Sequence, residues 1–132
     1  MMLLDTSGLF AYHNRRESRH QQARTLFRSS GSFLTTGYVI AEFVALAQAR
    51  KIPRTPVLSF VNALLEHPLV EVVWPSEKLN RAALNLLKER FDKRYSLTDA
   101  VSFVLMRERG ITDALTTDHH FEQEGYVRLL EP

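Results

Sequence analysis

Ala114-Leu115-Thr116-Thr117-Asp118 decides how this chain folds, because it repeats a pattern set at the start by Met2-Leu3-Leu4-Asp5. Each is a short apolar run, too short for a helix, that closes on an aspartate. Ile111 to Thr117 therefore reads as one buried strand and Met1 to Thr6 as another. Working outward, Ser32 to Thr35 and the valine-rich Leu69 to Trp74 give two more strands, and Tyr126 to Leu129 a short fifth.

The segments between them have helical spacing. Ser18 with Gln21 has capping-box spacing and predicts a helix to about Ser29. Tyr38 to Arg50 follows Gly37, and Thr55-Pro56 suits an N-cap and first turn of a helix running towards Glu66. Ser76 caps a segment with Leu79, Ala82, Ala83, Leu86 and Leu87 on one face. Ser96 and Asp99 open a last helix, which Gly110 stops after Arg109. Strands alternating with helices predict a single α/β domain over 1–132, with a mostly parallel central sheet of about five strands flanked by helices.

Composition agrees. A chain of 132 residues with 45% apolar and 24% charged side chains buries a core without crosslinks. It has no cysteine, which removes disulfides and thiolate zinc sites. The opening Met1 to Leu4 stops at Asp5, and the longest nearly apolar run, Tyr38 to Ala47, is interrupted by Glu42. Neither is a signal core or a membrane span, so a cytoplasmic protein with no membrane partner is expected. Seventeen basic residues face fifteen acidic ones. Two basic clusters stand out, Arg15, Arg16, Arg19, Arg24 and Arg28, then Lys88, Arg90, Lys93 and Arg94. Each is equally a solvated helix face.

In parallel α/β sheets the ligand site lies beyond the carboxyl ends of the strands, near the reversal of strand order. Asp5 and Asp118 both stand where a strand runs out. Either alone is also an ordinary turn former. Glu42 has Tyr38, Val39, Ala45 and Leu46 three and four positions away, which puts it on a buried helix face. A carboxylate there needs a partner: a cation, a buried arginine or backbone amides. Asp99 fits a capping box and equally a ligand projecting from the first helical turn. Carboxylates gathered in one pocket repel by about 4 kcal/mol per pair at 4 Å and an effective dielectric near 20. Protons or cations must neutralise them. Hard Mg²⁺ or Mn²⁺ suits such oxygens better than zinc does.

Four motifs in order, Leu4-Asp5-Thr6-Ser7-Gly8-Leu9, Ala41-Glu42, Ser96-Leu97-Thr98-Asp99-Ala100 and Leu115-Thr116-Thr117-Asp118-His119-His120-Phe121, resemble the PIN (PilT N-terminus) domain family. The likeness is greatest to its small toxin members, the virulence-associated protein C group. It spans nearly the whole chain, with Lys51 to Trp74 matching only in general character. It implies a PIN-like fold and a metal-dependent endoribonuclease with Asp5, Glu42, Asp99 and Asp118 as its acids. It also places Ser7 and Thr116 as supporting polar residues, which either hold a water or bond the strand-end backbone. The implied partners are RNA, a small antitoxin protein and a second copy of the chain, the last suiting the apolar helix near Val57 to Leu65. Asp113 is read as a solvent or turn residue, His119 as exposed, His120 as structural, and His13, His20 and His67 as surface residues.

Other acidic metal pockets fit less well. A receiver domain needs an aspartate ending the third strand, where Glu71-Val72-Val73-Trp74-Pro75 stands, and a late lysine, yet none follows Lys93. A haloacid-dehalogenase phosphatase needs a second aspartate where Ser7 stands. A PIN-like binding module that does not cut, and a housekeeping nuclease without an antitoxin, remain the alternatives.

Overall fold

The computed structural model describes residues 1–132. Strands β1 (Met2–Leu4), β2 (Phe33–Thr36), β3 (Val70–Val73), β4 (Asp113–Leu115) and β5 (Val127–Arg128) form one sheet in the order β3-β2-β1-β4-β5. Every neighbouring pair is parallel. The helices are α1 (Thr6–His13), α2 (His20–Ser29), α3 (Gly37–Ala49), α4 (Arg54–Glu66), α5 (Glu77–Glu89), α6 (Leu97–Arg109) and α7 (His120–Gln123). None is long and apolar enough to cross a membrane.

Strand order creates the site. The chain steps from β1 to β2 to β3 and then returns to place β4 on the other side of β1. Leu4 pairs with Leu115, so β1 and β4 end at the same level on the same edge. The reversal falls between them, where Asp5 and Thr116 to Asp118 leave the sheet.

Two apolar layers sandwich the sheet. On one face Leu9, Phe10, Val39, Phe43, Val57 and Leu64 bring α1 to α4 against the strands, with Phe27 stacked on Phe33 at 4.1 Å between ring centroids. On the other, α5, α6 and α7 pack through Ala83, Leu86, Val101, Phe103 and Phe121. Helix α6 is buried without interruption from Asp99 to Met106, as befits a helix covered on every side. Phe103 meets Tyr95, Phe121 and Tyr126 there. Phe103→Ala is expected to lower stability by about 3–5 kcal/mol, read as a shifted denaturant midpoint.

The structure departs from the sequence-based expectation in several places. Helix α1 was not expected. It follows β1 directly, with Asp5 as N-cap residue, but the Asp5 side chain makes no capping bond and Thr6-Ser7-Gly8 are weak helix formers. Ser18 does not cap the next helix: α2 starts at His20, and the Ser18 hydroxyl accepts from Arg19, whose guanidinium also bonds the carbonyls of Glu131 and Pro132. Pro53, not Thr55, is the N-cap of α4. Pro56 sits in the first turn, where no intrahelical partner exists for a backbone N–H. The capping box of Ser96 and Asp99 and the Ser76 cap are present as read.

Gly8 fixes how closely α1 crosses the sheet edge. A Cβ there would lie 1.9 Å from the Leu115 carbonyl oxygen. Only a residue without a side chain lets the helix start this near β4.

Candidate active site

Asp5 is buried at the tip of β1, and its Oδ2 accepts a 2.7 Å hydrogen bond from the Thr116 hydroxyl. Thr116 Oγ1 also accepts from the Asp118 amide at 3.0 Å. Its one proton is committed to Asp5, so Ser7 must donate across the 3.1 Å contact between the two hydroxyls. Ser7 Oγ in turn accepts from the Thr117 amide at 2.9 Å. Ser7 and Thr116 thus lace the start of α1 to the end of β4, and Thr116 holds the Asp5 carboxylate directly.

Asp99 is buried in the first turn of α6. Its Oδ2 accepts from the Ser96 amide at 3.1 Å, and its own amide donates to Ser96 Oγ at 3.0 Å. Capping therefore engages the carboxylate without removing it from the strand-end region. Asp118 is half-buried, and its Oδ1 accepts from the His120 amide at 2.9 Å at the start of α7.

Electrostatics shows which acids share a neighbourhood. Burial pushes the Asp5 carboxyl up to about 7; Asp99 and Asp118 add to the rise and the Thr116 bond opposes it. Burial likewise raises Asp99, opposed by the Ser96 backbone bond and then by His120, while Asp118 and more weakly Glu42 raise it further. Asp5, Asp99 and Asp118 form one mutually repelling group, and Glu42 reaches it through Asp99.

Glu42 is not where the sequence reading put it. It is exposed on α3, whose buried residues are Val39, Ile40, Phe43 and Ala47. Ala45, on the same predicted face, is exposed as well. The apolar content of α3 runs nearly all round it and gives no polar side by which to orient the helix.

Two histidines belong to the site that the sequence reading set aside. His120 Nδ1 lies 3.3 Å from Asp99 Oδ2 and 3.2 Å from Asp118 Oδ1, not aligned for a hydrogen bond with either. His119 is exposed, as expected, but its Nδ1 is 3.7 Å from Asp118 Oδ1. Asp118, His119 and His120 bring ligand atoms within 4.8 Å of one another. The 100° between neighbouring helical residues does not keep these rings apart, since both lean towards Asp118, with centroids 4.5 Å from each other. His20 also departs from expectation: it is buried, with Nδ1 2.9 Å from the Ala11 carbonyl. His13 packs half-buried against Phe43 and Phe60. Asp113 begins β4, away from the acids, and accepts from Thr112.

A donor set of carboxylate oxygens, one of them held near neutrality by burial and like charge, fits a hard divalent cation. Such a cation would reverse the penalty that raises Asp5 and Asp99.

Comparison with known proteins agrees with this geometry. The family model described as the PIN domain matches residues 2–124. The 23S rRNA-specific endonuclease VapC20 of Mycobacterium tuberculosis is 30% identical over 130 residues, covering 98% of both chains. A VapC ribonuclease of Archaeoglobus fulgidus is 23% identical over 112 residues, 80% of this chain and 70% of that one. Among solved structures, that of the M. tuberculosis VapC20 toxin, which cleaves the sarcin–ricin loop, superposes with a TM-score of 0.89 at 28% identity, covering 98% of this chain and 99% of that one.

Proposed function

Because this chain belongs to the PIN domain family, we propose that it is a divalent-metal-dependent endoribonuclease and the toxin of a toxin–antitoxin pair. The observation that carries the reading is the convergence of Asp5, Asp99 and Asp118 at the β1/β4 reversal.

In this reading Asp5, Asp99 and Asp118 hold Mg²⁺ or Mn²⁺, with Glu42 either a further oxygen ligand or the acceptor of the attacking water's proton. When bound, the cation lowers the pKa of water and offsets charge developing on the phosphate. Thr116 keeps the Asp5 carboxylate turned towards the other acids, and Ser7 keeps Thr116 in place. Ser96 fixes Asp99 through the capping box, and the His120 amide fixes Asp118. The acids are thus preorganised by neighbours that need not move during phosphodiester hydrolysis.

The substrate follows from the relatives by analogy: 23S rRNA is the first RNA to test, with a mixed RNA pool beside it. A small antitoxin and a second copy of the chain are the proposed protein partners, and Leu58 and Leu65, exposed on α4, are suited to the latter. Sedimentation reads the dimer; a monomer at micromolar concentration refutes it. Action on cellular RNA implies a cytoplasmic location.

The test incubates the purified chain with both RNAs in Mg²⁺, in Mn²⁺ and in EDTA, beside Asp99→Asn. Cleavage is expected only with metal, and to be lost in a folded Asp99→Asn, since asparagine keeps an acceptor for the Ser96 amide. A variant that cuts as well as the parent would reduce Asp99 to a cap. Intact RNA under every condition would favour the non-cutting binding module.

A further inference from the structure

Phe91 is the most exposed large apolar side chain in the molecule, at 88%. It lies between α5 and α6, in a segment that is firmly held at both ends. Arg90 donates Nε to Glu124 Oε1 at 3.0 Å and Nη2 to Oε2 at 3.2 Å, and the Tyr95 hydroxyl donates to Oε1 at 3.0 Å. Tyr95 is itself buried, edge-on against Phe103 and His120. Burial, then the Glu124 bond, pushes its phenol up to about 12, so it remains a donor. The Lys93 amide closes a turn onto the Arg90 carbonyl at 2.9 Å. The loop therefore presents Phe91 to solvent by construction.

What surrounds Phe91 indicates a partner. Asp92, Lys93 and Arg94 follow it; Lys93 lies 3.7 Å from the Asp92 carboxylate, and Arg94 has no ion pair. They line a cleft of about 360 Å³ with His119, His120 and Gln123, and no apolar residue. His119 and His120 carry that cleft directly to Asp118. A protein-docking patch would surround its aromatic anchor with apolar neighbours and few lysines. An aromatic face beside cations in a polar groove is what single-stranded nucleic acid needs, one surface to stack on and charge to follow the backbone.

We propose that the Phe91–Arg94 loop binds an unpaired nucleotide beside the cleaved bond, with Phe91 stacking on its base and Lys93 and Arg94 holding its phosphates. The assignment rests on the nuclease reading for its choice of RNA, but its test does not require cleavage. Anisotropy of a fluorescent single-stranded RNA with the full chain in EDTA should show Phe91→Ala binding about ten-fold more weakly, and Phe91→Trp binding as the parent does. Arg94→Gln should reduce the slope of log affinity against log salt by about one. Melting curves unchanged in all three would place the effect on binding, because the replaced groups are exposed. Parental affinity for Phe91→Ala overturns the proposal. So does conversion of a dimer to monomer by that substitution, which would make Phe91 a contact between copies. Absence of cleavage by the parent with metal, alongside Phe91-dependent binding, would refute the nuclease reading alone.

Discussion

Asp5→Asn is expected to reduce RNA cleavage by about a thousand-fold or more while making the metal-free fold more stable. On the proposed reading, the loss follows from removing one anionic ligand from a site whose cation would contribute several kcal/mol to the transition state. The gain follows from burial. In the fold the Asp5 carboxyl titrates at about 7 against 3.8 for the free group. Its folded-state pKa is raised, so its contribution to stability is fully present below the unfolded value and is lost as pH rises through the folded one. The loss accumulates between about pH 4 and 7 and amounts to something on the order of 4 kcal/mol. Asparagine keeps an oxygen for the Thr116 hydroxyl and carries no charge. Thermal melts in EDTA at about pH 5 and about pH 8 should show the parent losing stability at the higher pH and the variant losing less. Saturating Mg²⁺ or Mn²⁺ should restore the parent and leave the variant unmoved. A variant less stable than the parent at the higher pH in EDTA would mean that Asp5 is held by contacts other than those described.

Gly8→Ala should be the most damaging conservative change in the chain. The added methyl would stand 1.9 Å from a backbone oxygen, and neither α1 nor the end of β4 can rotate away as a side chain could. A destabilisation of about 3 kcal/mol or more is expected, roughly a 10 °C fall in melting temperature. Activity should fall further than the folded fraction does, because the displaced elements are those that Ser7 and Thr116 tie together around Asp5. Gly37→Ala is the control. The three atoms nearest its added methyl all belong to the ring of Trp74, a residue that is 63% exposed and able to turn aside. A Gly8→Ala protein that melts like the parent would show that α1 can start elsewhere.

The parts of the fold legible in the sequence were those with local causes. Short apolar runs closing on aspartate announced β1 and β4, and the rule for parallel sheets turned their ends into a site. The Ser96–Asp99 box announced both a helix start and a carboxylate held in place. What sequence spacing missed depends on contacts made at a distance. Helix α1 lacks a side-chain cap and is fixed by packing against α2 and α3, so no local pattern marks it. His20 sits among polar residues in sequence but is buried under the Ala11 carbonyl. Glu42 was oriented from a helix wheel with no polar side, which leaves rotation undetermined. His119 and His120 became site residues only when Asp118 drew both rings to itself.

Having β1 and β4 as central neighbours also sets when the enzyme can exist during its own synthesis. Asp5 is made before Thr116, the residue that holds it, which stands 111 positions later. Until that segment leaves the ribosome the nascent chain has β2 and β3 to pair but no strand on the other side of β1. The acids of the first and last motifs cannot meet, and on the proposed reading no fragment ending before Asp118 cuts. Synthesis past Asp118 is therefore the step that first brings these carboxylates together.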